Sequence, residues 1–252
     1  MRASITCKLT GTIGTGVRAH IIPESFYDLG GEKQEPARII TPGKNPLVIR
    51  SPAGEYDAGI VTAEGEAYFS SWDSYAYEIL LGRERLAKPY ILGGELAYVE
   101  IDKFDYSKLK LFFISLLWRA GVPTRPFFQL VNLGPHEARL RQLILDKNPG
   151  SEQDYSVMLG IHSDTPPYGF PMVAPHLIKD NEAGVNYYKF SLGRLIACIK
   201  VDARPFGASW VDAVVSPHLP LRFIILDEFR SSDFYKEMRQ RTRAAHYKRK
   251  QH

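Results

Sequence analysis

The chain has 252 residues, 44% of them hydrophobic, enough to bury a sizeable core without a disulfide or a structural metal. It carries no apolar run long enough to cross a bilayer, no secretory leader is expected, and Cys7 and Cys198 lie far apart, which points to a reducing cytoplasm. Net charge is +4, but Lys236, Arg239, Arg241, Arg243, Lys248, Arg249 and Lys250 face only Glu237 in the tail. The body is therefore slightly acidic and excludes itself as a basic nucleic-acid platform; phosphate attraction is expected mainly from the tail.

In chain order, β-prone pieces are expected around Ile5 and at 17–22, separated by a loop holding Gly11, Gly14 and Gly16. That loop lacks the Lys-Ser/Thr ending of a phosphate loop and reads as a hairpin connection. Residues 28–58 are rich in Gly and Pro, with a short strand at 47–50. Helix-favouring residues begin at Ala63, and Trp72, Tyr75, Ile79 and Leu80 continue an amphipathic pattern to about Gly82.

Asp105 opens the clearest helix, where Leu109, Phe112, Phe113, Leu116 and Leu117 form a wide apolar stripe that stops at Gly121-Val122-Pro123. A second helix is expected over 135–147, with Pro at its first turn. Strands then follow at 155–161, 172–178, 185–192, 195–201 and 221–226. Their connections at 181–184 and 192–194 are too short for crossover helices, so the C-terminal sheet is expected to be mainly antiparallel. Ser232 or Asp233 caps a final basic helix from Phe234. His162-Ser163-Asp164 reads as a turn beside Pro166-Pro167, not as part of a catalytic triad, and Cys198 as a buried thiol.

Two N-terminal segments carry a further pattern. Cys7-Lys8-Leu9-Thr10 and Ala19-His20-Ile21-Ile22-Pro23, followed by Phe26-Tyr27, stand in the order of a ββα-metal core. Farther on come Thr62, Gly65, Glu66, Phe69-Ser70 and Asp73, and then an apolar helix containing Leu117-Trp118-Arg119. In these residues the chain resembles the bacterial and phage HNH-endonuclease-like family. Thr10, Thr62 and Gly65 occupy positions where that family places zinc-binding cysteines.

The resemblance implies an α+β fold: a degenerate ββα-metal-like unit over 1–88, then central helices, an antiparallel sheet and the basic helix over 89–252, packed with it or continuous with it. It implies hydrolysis of nucleic-acid phosphodiesters, with His20 as base and Glu66 and Asp73 as ligands of a divalent Mg or Mn ion. Arg18, Arg50, Arg239, Arg241, Arg243, Lys248, Arg249 and Lys250 are the expected contacts to DNA or RNA. The departures imply no intact structural zinc site, since threonine and glycine cannot replace thiolates, and Ala19 stands where related nucleases often carry an acid. Two alternatives stay open: His20 as a buried, hydrogen-bonded residue, and the whole as an inactive nucleic-acid or protein-binding module, in a setting such as phage–host conflict. No membrane partner is expected.

Overall fold

The computed structural model describes residues 3–27, 37–41, 48–51, 54–82, 88–92, 95–164, 170–207 and 213–226. The basic residues of the tail, with the terminal helix expected there, lie outside the described residues.

The chain begins with an antiparallel hairpin, β1 (Ser4–Thr6) and β2 (Ile13–Thr15), so part of the expected glycine loop is itself a strand. The turn between them closes through the Cys7 amide on the Thr12 carbonyl, 2.8 Å, with Gly11 at φ +80°. Next come β3 (Ala19–His20), β4 (Ala37–Ile40), β5 (Val48–Ser51) and β6 (Tyr56–Asp57). β3 pairs with β6, while β4 and β5 form a separate hairpin.

α1 (Ala63–Tyr77) buries Gly65, Phe69, Trp72 and Ala76 at helical spacing. It runs on through a π turn, Glu78–Gly82, that turns Ile79 and Leu80 inward. β7 (Lys88–Leu92) and β8 (Glu95–Ile101) follow, neither of them anticipated from the sequence. α2 (Tyr106–Gly121) starts where expected, with the Asp105 carboxylate accepting from the Lys108 amide at 3.0 Å. Every residue from Leu109 to Ala120 is buried, as befits a helix with neighbours all round. α1 packs on one side of it and α3 (His136–Leu145) on another.

The remaining strands are β9 (Val157–His162), β10 (Met172–Val173), β11 (His176–Lys179), β12 (Asn186–Leu192), β13 (Leu195–Lys200) and β14 (Leu221–Leu226). They build a seven-stranded sheet in the order β11-β12-β13-β9-β14-β8-β7. The sheet is mainly antiparallel, as expected, but β9 and β14 are parallel neighbours, which makes it mixed. Strands β10 to β13 lie between them in sequence, and that length of chain allows β14 to return in the same direction. The expected strand at 172–178 is also two strands. β10 runs parallel to β4 in a three-stranded sheet, and β11 joins β12. Pro175, which has no N–H to offer a ladder, separates them.

The molecule is thus α+β, with N-terminal strands, central helices and a large mixed sheet. Its main hydrophobic core runs from Cys7 and Leu9 through α2 to Leu221 and Phe223. A smaller cluster of Met158, Val185 and Phe206, with Tyr187, Cys198 and Val214 against it, accompanies the middle strands of the sheet.

Candidate functional site

The two separated N-terminal segments meet. The Lys8 amide donates to the Ile60 carbonyl at 2.8 Å and the Val17 amide to the Val61 carbonyl at 3.1 Å, while Gly16 bridges Thr62. Glycine is required at 16, because a Cβ there would stand 2.2 Å from the Ala58 carbonyl oxygen. These bonds hold the first hairpin across the start of α1.

Cys7 sits at that junction. Its Sγ accepts from the Thr10 amide at 3.4 Å. Burial pushes the thiol up, yet hydrogen bonds from the Thr10 side chain and from the backbone of Thr10, Thr62 and Leu9 outweigh it and leave Cys7 below its ordinary value. A Cβ at Gly65 would lie 2.6 Å from the same sulfur. Positions 7, 10, 62 and 65 therefore converge, and Cys7 itself fills the space against Gly65. Structural zinc sites of the knuckle type are built from cysteine and histidine, and Cys7 is the only such residue of the four, so they do not fit that ion.

His20 lies on β3, half-buried, between Ala19 and Ile21, which face inward. Its ring meets the Tyr56 ring edge-on at 6.1 Å across the β3–β6 pair. Arg18 places its guanidinium carbon 3.8 Å from the centroid of that same Tyr56 ring. One tyrosine thus gathers two of the residues singled out from the sequence. Arg50 is exposed on β5, opposite Arg38, in a different strand pair.

The densest polar contact belongs to Arg119, whose role the sequence did not reveal. It is fully buried on α2 and forms two parallel bonds with Asp73 of α1, Nη1 to Oδ2 at 2.9 Å and Nη2 to Oδ1 at 2.7 Å. Nη1 also donates to the His20 carbonyl at 3.2 Å, and Nε and Nη2 reach Ser115. The guanidinium lies 4.7 Å from the Phe69 ring centroid. A single side chain joins β3, α1 and α2. In the sequence Arg119 stood out as a cation in an apolar helix and as part of Leu117-Trp118-Arg119, but nothing there indicated its partners.

Glu66 stands one turn into α1. Burial pushes its carboxyl up, with Arg119 opposing and Asp73 reinforcing the shift. Among the described residues its Oε2 is buried without a hydrogen-bond partner. It lines an open groove of about 580 Å³ with Val17, Ala63, Ala67, Ser70 and Ser74. Asp57 is engaged elsewhere, accepting from the amides of Gly59 at 2.7 Å and Thr124 at 3.1 Å. Among the described residues no group of three or more His, Cys, Asp or Glu converges as metal ligands do. Both Asp73 oxygens accept from Arg119.

A second polar cluster lies along α2. Lys110 is fully buried, and its Nζ and the Tyr106 hydroxyl are buried without hydrogen-bond partners among the described residues. Burial pushes Lys110 down to about 8, opposed by Asp154 and Glu152 and reinforced by Lys200. Lys200, also buried, donates to the Arg204 carbonyl at 2.8 Å.

Among the described residues no helix is long and apolar enough to cross a membrane. No family model, curated protein or solved structure matches this chain.

Proposed function

We propose that this protein is a nucleic-acid-binding descendant of an HNH-like nuclease, with its N-terminal unit kept as a scaffold. One observation carries the reading: positions 7, 10, 62 and 65 come together around Cys7 Sγ, as the four ligand positions of a zinc knuckle would, although their sequence segments are far apart. The order β3, β6, α1 with His20 on the first strand is the second support. Asp73 serves the scaffold through Arg119, and the basic tail supplies the attraction for phosphates.

Binding should occur in EDTA and weaken steeply with salt, because released counterions drive it. Fluorescence anisotropy of the full chain with labelled DNA and RNA, at several salt concentrations, tests this. Absence of salt-sensitive binding to either would sink the reading and leave a protein-binding module.

A second reading is favoured by the Glu66 carboxylate, whose Oε2 has no hydrogen-bond partner among the described residues. In it His20 takes a proton from water and Glu66 contributes to holding a divalent cation, which would stabilise charge on the scissile phosphate. Cleavage that requires Mg or Mn and disappears in His20→Ala, with binding retained, would establish that alternative over the first.

A further inference from the structure

We infer that the edge of the large sheet is a stacking platform for unpaired nucleobases, so that the preferred ligand is single-stranded nucleic acid; this rests on the nucleic-acid-binding reading above. Tyr90 on the edge strand β7 is directly opposite Tyr98 on β8. Their rings are stacked, with centroids 4.4 Å apart and planes only 7° from parallel. Arg222 on β14 places its guanidinium 4.9 Å from the Tyr98 ring centroid and is tied to Glu100 at 2.7 Å. A guanidinium and two phenol rings thus form one stack that steps outward across three strands. It ends on Tyr90, which is 44% exposed, next to Ile91, which is 63% exposed.

Three features select the occupant. A flat ring held against a second ring has little conformational freedom left to lose, and any base offers it a π face whatever the sequence. Base pairs in a duplex are already stacked and offer no free face, so the platform discriminates by strandedness. Around the stack the charges are paired, Lys88 with Asp102 and Arg222 with Glu100, so the platform alone does not supply phosphate affinity. That comes from the sequence after Leu226, where the basic residues are concentrated.

The test is anisotropy of the full chain with a fluorescein-labelled oligothymidine and with a duplex of equal length, for wild type, Tyr90→Ala and Tyr90→Trp. Tyr90 is exposed, and circular dichroism checks that each variant is folded. The expectation is a preference for the single strand, weakened roughly ten-fold by Tyr90→Ala and kept by Tyr90→Trp, with duplex binding unchanged by either. Equal affinity for both probes, or an oligothymidine affinity indifferent to Tyr90→Ala, overturns the platform while leaving nucleic-acid binding standing. Failure to bind either probe overturns the platform together with the reading on which it rests.

Discussion

Arg119 and Asp73 hold each other through two parallel hydrogen bonds of 2.9 and 2.7 Å, with the arginine wholly buried and the aspartate side chain 18% exposed. The pair fixes the approach of α1 to α2, and the extra bond from Nη1 to the His20 carbonyl extends the same constraint to β3. It also determines what Asp73 is free to do, since both its oxygens already accept from a cation.

Asp73→Ala should therefore destabilise the fold by about 3–5 kcal/mol, because it leaves a buried guanidinium without its counter-charge. Replacing both residues with apolar side chains of similar size, as in Asp73→Leu with Arg119→Met, should recover much of that loss. Urea unfolding of the two single variants and the double variant measures the coupling. Additive losses would show that the pair is not a unit.

Gly65→Ala brings a methyl group to 2.6 Å from Cys7 Sγ, with Val61 at 3.1 Å on another side. Overpacking of this kind is expected to cost about 1–3 kcal/mol. Adding Cys7→Ala to Gly65→Ala should relieve part of the cost, as the sulfur is the nearest obstacle. Thermal unfolding of both variants checks this, and no relief in the double variant would place the strain elsewhere.

Lys110 should make stability depend on alkaline pH. Its amine is lowered in the fold from 10.5 to about 8, so between those values the unfolded chain holds more protons than the folded one. Stability from this group then rises as pH increases from about 8 towards 10.5 and is lowest below that window. Lys110→Met should remove this group's share of the slope and stabilise the protein at neutral pH by on the order of 2–3 kcal/mol. Chemical denaturation at several pH values compares the two chains. The groups facing Lys110 are Asp154, Glu152 and Lys200; the two carboxylates temper the slope and the Lys200 ammonium steepens it.

Glu66 gives the opposite sign. Its carboxyl is raised above the unfolded value of 4.5, so the folded state holds the extra proton and stability falls as pH climbs through the folded pKa. Glu66→Gln should flatten that fall and be neutral or mildly stabilising at pH near neutrality. Manganese separates the two functional readings: a binding scaffold shows the same melting temperature with and without it. A manganese-dependent rise in wild type that vanishes in Glu66→Gln would support the cation-holding role.

Local chemistry made much of the fold legible. The Asp105 cap, the apolar stripe from Leu109 to Leu117 and the stop at Gly121 locate α2 without any knowledge of its neighbours. Hydrophobic runs likewise locate β9, β12, β13 and β14 to within a residue or two. β7 and β8 were missed because their charged and aromatic residues, among them Lys88, Tyr90, Tyr98 and Glu100, obscure the period of a strand. Of the candidate site, the sequence named His20, Glu66, Asp73, Cys7 and Arg119, but not that Arg119 ties Asp73 to the His20 carbonyl.

Sequence alone determined where α2 and α3 start and stop and where β9, β12, β13 and β14 extend, since caps, periodicity and glycine or proline act within a few residues. Tertiary structure decided that β9 and β14 run parallel, that Cys7 rests on Gly65, and that Asp73 belongs to Arg119. Those outcomes depend on contacts between segments distant in the chain. There the desolvation of a charge or the volume of a single methyl group outweighs local preference.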